Sequence, residues 1–162
     1  MSLSASTLAS DLEQIFNAKP ASAADAAADW AKAYQSYASA AMSTASSLPV
    51  TAPANFGILL GAFVGGLSAL SSVTAGALVA QGLLAYWQAM AWVGPTAIGV
   101  TAFPGNAALA GALAATFSDV SKKSAADKAK ELADAFDAGA KMVIVSDVPL
   151  IQPAPPIVGP IM

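Results

Sequence analysis

Between Lys32 and Asp119 the chain carries no Asp, Glu, Lys or Arg, so the run from Ala33 to Ser118 holds no ionic group at all. The run is not uniformly apolar, because "QSYASAAMSTASS" and "TAPANF" inside it are polar and loop-like. A segment of this kind meets lipid, its own core or another protein chain. At 162 residues the chain fits one domain with a core that needs no staples. Apolar residues make up 56% and charged residues 10%, whereas an ordinary soluble domain is roughly a quarter charged. Much of the surface is therefore expected to be covered by lipid or by partner subunits.

Several chemistries are disfavoured by residue type. The net charge is -3 and there is no arginine, so the bidentate phosphate fork and a basic stripe for counterion release are missing and nucleic-acid binding is not expected. Without cysteine or histidine there are no thiolate or imidazole ligands for zinc and no disulfides, and no cofactor is implied. The opening "MSLSASTLASDLEQIF" has no basic region ahead of an apolar core and does not read as a secretion signal.

Periodicity predicts a mainly α fold of about five helices. Leu8, Leu12, Ile15 and Phe16 mark a short amphipathic first helix that ends before Pro20. Ser22, three residues ahead of Asp25, caps a second helix whose seam is Trp30, Tyr34, Tyr37 and Ala41. From Phe56 to Val73 a stripe of Gly57, Gly61 and Gly65 lies one turn apart, which lets two helix backbones approach closely in membranes or in tight bundles. A further helix starting near Ala75 is stopped by Gly94 and Pro95 and carries Gln81 and Gln88 on one face. "TAIGVTAF" alternates weakly and predicts a short extended piece. Leu109, Leu113, Phe117 and Val120 recur at helical spacing, and Ser124 with Asp127 repeats the cap ahead of a seam of Ala129, Leu132, Ala133 and Phe136. "MVIVSDVPLI" is β-branched and extended, and the prolines of "QPAPPIVGPIM" bar any helix after it. The expected division is a helical domain over 1–142 and an extended, proline-rich arm over 143–162.

Acid–base or nucleophilic chemistry would have to rest on Asp119, Lys122, Lys123 and Asp127, or on a Ser–Lys pair drawn from Ser121, Ser124 and Lys128. These sit at a helix entrance, where charges are ordinarily solvated, and no enzyme activity is expected. "GAFVGG" lacks the Lys-Ser or Lys-Thr of a phosphate loop.

Lipid and protein partners remain as the two covers. Phe56–Val73 is long enough to span a bilayer and Ala75–Val93 nearly so, but the nearest flanking cations are Lys32 and Lys122, too distant to orient the spans. Burial by copies of the same chain would strip charge from loops and helices together, as observed here. An extended arm with unpaired backbone groups is expected to complete its hydrogen bonding on a neighbour.

From Gly82 onward, "GLLAYWQAM", the loop "VGPTAIGVTAFPGN", an Ala-rich helix, "AADKAKELADAFDAGAK", "MVIVSDV" and "PPIVGPI" follow in turn. This series resembles the small neck and tail-completion-type structural proteins of tailed bacteriophages. The resemblance implies a non-enzymatic virion protein that forms a ring of copies at the neck or tail, next to other phage structural proteins. Phe63, Leu84, Trp87 and Trp92 are the expected packing and contact positions. Val143, Ile144, Val145, Val148, Ile157, Val158 and Ile161 are expected to form the clamp. The runner-up is a small holin-like membrane protein with two apolar spans.

Overall fold

Four of the helices begin on a serine whose hydroxyl accepts from a backbone N–H three residues on, which satisfies one orphan donor of the first turn. Ser22 Oγ accepts from Asp25 N at 3.1 Å and donates to Asp25 Oδ2 at 2.7 Å; Ser124 treats Asp127 in the same way at 3.1 and 2.7 Å. Ser4 and Ser71 cap onto Thr7 N and Thr74 N. The computed structural model describes residues 3–42, 56–90, 96–121, 123–149 and 157–162, with backbone alone for 96–101, 146–149 and 157.

The elements in chain order are α1 (Ala5–Ala18), α2 (Ala23–Ala38), α3 (Phe56–Leu67), α4 (Ser72–Gln88), β1 (Thr96–Ala102), α5 (Asn106–Ser118), α6 (Ala125–Ala140), β2 (Ile144–Pro149) and β3 (Ile157–Pro160). The fold is mainly helical, with six helices among the described residues where about five were expected. The sequence also predicts one apolar segment from Phe56 to Val73, but the helix stops at Leu67 and a new one starts at Ser72. Ser71 is the reason: its hydroxyl offers the backbone a cap, which competes with continuing the helix.

Each helix packs on its neighbours in sequence, and α6 packs back on α1, so the six close into a ring. Neighbours run antiparallel. A Cβ on Gly82 of α4 would collide with Ala62 of α3, and one turn further along α3 Gly66 faces Val79, about one turn back along α4. The turns α1–α2, α3–α4 and α5–α6 gather at one end of the bundle, where Phe16, Leu67 and Phe117 border a common depression.

The strands gather at the other end, in an antiparallel sheet of order β1-β2-β3. Thr96 pairs with Pro149 and Val100 with Val145, a bulge follows before Ala102, and Ser146 pairs with Val158. Beyond β3, Met42 and Met162 exchange backbone hydrogen bonds at 3.0 and 2.9 Å.

The core is an aromatic column shared by opposite sides of the ring. Trp30 and Tyr34 of α2 meet Phe63 of α3 and Phe136 of α6 edge to face, with centroids 5.4–6.4 Å apart. Such pairs add roughly 0.5–1.5 kcal/mol each beyond area burial. Trp87 Nε1 donates to Tyr34 Oη at 3.0 Å, which lets the indole be fully buried without stranding its N–H.

Candidate assembly surface

The helix order in the ring sorts the charges. Every ionic group lies before Ala33 or after Ser118, so α6, α1 and α2 form a charged half and α3, α4 and α5 an uncharged one. In the charged half several ions pair with one another: Lys32–Asp29 at 3.1 Å, Lys130–Asp134 at 2.6 Å, and Asp119 with Lys123 at 2.8 Å and Lys128 at 3.0 Å. Lys123 also pairs with Glu131.

The residues weighed for catalysis belong to this ionic cluster. Hydrogen bonds from Lys123, from Ser121 and from Lys128 hold the Asp119 carboxyl far below the usual carboxylate range. Asp119 and Glu131 push the Lys123 ammonium above its ordinary value, away from the neutral amine a nucleophile or base requires. Ser124 Oγ is committed to Asp127, and Lys128 Nζ donates to the Asp119 carbonyl at 3.0 Å, closing the C-terminal end of α5. Lys122 lies outside the described residues. Among the described residues no group of three or more carboxylates is placed to hold a metal ion.

One carboxylate, Asp137, is buried among the described residues of the charged half. The Asp137 side chain on α6 accepts from Tyr37 Oη at 2.8 Å and from Lys141 Nζ at 2.7 Å. Burial first, then the nearby Tyr34 and Asp137, push the Tyr37 phenol well above its ordinary value. Tyr34 and Tyr86 are pushed up by burial as well. The network ties α2 to α6 and has the character of an internal brace.

The uncharged half presents a smooth outer wall. Gly57 and Gly61 of α3 meet nothing within 4 Å of where a Cβ would stand, and Gly65 meets only Leu78 of α4 at 3.7 Å. The stripe therefore does not join α3 to its neighbour. Close approach inside the protomer is made instead by Gly66, Gly76 and Gly82; a Cβ on Gly76 would stand 2.5 Å from the Ala110 carbonyl oxygen and 2.8 Å from Ala114 N. The reason is rotational: α3 buries Leu59, Ala62, Phe63 and Gly66, which turns the stripe outward. Leu78, Gln81 and Gln88 of α4 and Ala108, Gly111 and Ala112 of α5 continue the exposed wall.

The residues singled out from sequence divide by location. Phe63 and Trp87 are fully buried core, and Leu84 is half-buried at its edge. Trp92 lies outside the described residues. The clamp expected to reach a neighbour is folded into its own chain: Val143, Val145 and Ile161 are buried, Ile144 is half-buried, and Ile161 N donates to the Val143 carbonyl at 3.2 Å. Both edges of β2 are occupied by β1 and β3, because this pairing satisfies the strand's backbone without a second copy. Val148 and Ile157 sit within β2 and β3 by backbone, and Val158 is exposed. Leu70 and Val120, which helical spacing assigned to apolar helices, instead lie beyond the ends of α3 and α5 and are exposed at the turn end, because both helices stop two or three residues earlier.

Helices α3 and α4 contain 12 and 17 residues, roughly 18 and 26 Å of rise against a hydrocarbon core about 30 Å thick. Among the described residues no helix is long and apolar enough to cross a membrane. Comparison of this chain with family models, with characterised proteins and with solved structures finds no match.

Proposed function

We propose that the chain is a non-enzymatic structural subunit that assembles with copies of itself through the uncharged wall of α3, α4 and α5, as part of a ring at the neck or tail of a phage particle. The observation that carries the self-assembly is that every ionic group borne by a helix lies on α6, α1 or α2, and none on α3, α4 or α5. A wall of glycine, alanine and glutamine exposes little to repel a second copy and lets helix backbones approach closely. The phage setting is supported by the resemblance of the chain from Gly82 onward and by no other feature. Contact through the wall replaces the C-terminal clamp, since the arm is used within the protomer.

Sedimentation velocity on the parent and on a Gln81→Glu, Ala112→Glu variant tests the wall. The parent is expected to form a discrete assembly at tens of micromolar, and the variant to collapse to its smallest unit with unchanged circular dichroism. A variant that assembles as the parent does refutes the wall. Antibody labelling of intact particles tests the setting, and label found away from neck and tail refutes it.

A further inference from the structure

The three most exposed large apolar side chains among the described residues, Leu70 at 106%, Val120 at 95% and Val73 at 70%, all project from the turn end of the bundle. Singly exposed apolar residues are unremarkable, but three grouped at one end mark a contact surface. Beside them lies a recess of roughly 330 Å³ whose walls are Phe16, Trp30, Leu67, Phe117 and Leu132. That volume is at the small end for ligand cavities and suits side chains better than a cofactor. Leu70 borders a smaller depression that shares Leu67 and Phe117 with the recess.

We infer that the turn end is a self-docking surface, on which Leu70 of one copy seats in the recess beside Phe117 of a second copy and receives that copy's Leu70 in return. A projection and a recess of matching apolar chemistry on one patch are what an isologous contact needs, because a two-fold axis fills both recesses at once. The rim argues for the same occupant. Lys123 and Lys128, the cations among the described lining residues, are already ion-paired with Asp119 and Glu131, which leaves the apolar walls to meet an apolar side chain. The contact lies across the helix axes and the wall lies along them, so the two can operate together. The inference rests on the self-assembly proposed above and deepens it by adding a second, independent contact.

The chain has no cysteine, so introduced thiols report on proximity between copies. An equimolar mixture of Leu70→Cys and Thr116→Cys chains is expected to form the mixed disulfide dimer under mild oxidation, at least fivefold more than a mixture of Leu70→Cys and Lys32→Cys chains. The Gln81→Glu, Ala112→Glu variant is expected to sediment as a dimer, and adding Leu70→Glu to convert it to a monomer. The dye 1-anilinonaphthalene-8-sulfonate should stay dark with the dimer and brighten several-fold with the monomer. A wall variant that is already monomeric and binds the dye overturns the inference and leaves the recess to an apolar segment of another protein. A parent that never exceeds a dimer, with the disulfide formed, sinks the wall and keeps the turn-end contact.

Discussion

Helices α2 and α4 face the same core with similar means and face outward with opposite ones. Inward, α2 sends Trp30, Tyr34 and Tyr37 and α4 sends Val79, Leu83, Tyr86 and Trp87. Outward, α2 carries Asp25, Asp29 and Lys32, while α4 shows Thr74, Leu78, Gln81 and Gln88. The fold depends on the inner faces alone, since a helix pointing its apolar seam at the core is stable with either exterior. The exterior of the uncharged half is therefore not dictated by the fold, and the proposed contact with copies would give it a role.

The strongest way to break the contrast is to attack what the halves share. Phe63 packs on Trp30 and Tyr34 of the adjacent α2 and on Phe136 from across the ring, so Phe63→Ala is expected to cost about 3–5 kcal/mol by denaturant titration. A loss under about 1 kcal/mol would mean that the column does not unite the halves.

Next in size is alkaline unfolding. The chain's three tyrosines, Tyr34, Tyr37 and Tyr86, all have phenol pKa values raised by burial. Their protonated state therefore supports the fold fully below the unfolded value near 10, and that support fades as pH rises above it, by about 1.4 kcal/mol per pH unit for each proton. Tyrosinate absorbance should appear only together with unfolding; absorbance rising while the near-ultraviolet dichroism is intact would contradict the burial.

Two glycines sharpen the difference between the inside and outside of the uncharged half. Gly76→Val puts a branched side chain into the Ala110 and Ala114 backbone and is expected to cost about 3 kcal/mol. Gly61→Ala meets open space; it should raise thermal stability by up to about 1 kcal/mol while weakening assembly.

Two hydroxyls compare the halves directly. Tyr37→Phe deprives buried Asp137 of a hydrogen bond and is expected to cost about 1–3 kcal/mol. The buried Tyr86 hydroxyl has no partner among the described residues, so Tyr86→Phe should be neutral or slightly stabilising in the same melts. Smallest of all, Lys130→Ala removes one exposed pair with Asp134 and should change stability by under about 0.5 kcal/mol, leaving sedimentation unaltered.

Where charge contrasts with apolar periodicity, the sequence was legible. The caps at Ser22 and Ser124 and the seams through Trp30 and Phe136 are found where their spacing places them. Legibility failed in the uncharged run. Apolar and small residues surround α3 and α4, so periodicity neither marks the break at Ser68–Ser71 nor says which face of the glycine stripe turns inward. The wall was legible as composition and not as a surface, and the turn-end group was hidden because Leu70 and Val120 are remote in sequence. The strand Ile144–Pro149 was recognised as extended, yet its partner, Thr96–Ala102, lies far back along the chain.

By itself the sequence determined a helical chain, the two serine caps at Ser22 and Ser124 and the confinement of charge to its two terminal stretches, because caps, periodicity and composition act over a few residues. Only the tertiary structure decided that α1, α2 and α6, the helices of those two stretches, become one side of the bundle, that the glycine stripe faces out and that the arm closes on its own sheet. Those outcomes depend on the α1–α6 closure and the β1–β2 pairing, long-range contacts whose partners no local pattern specifies.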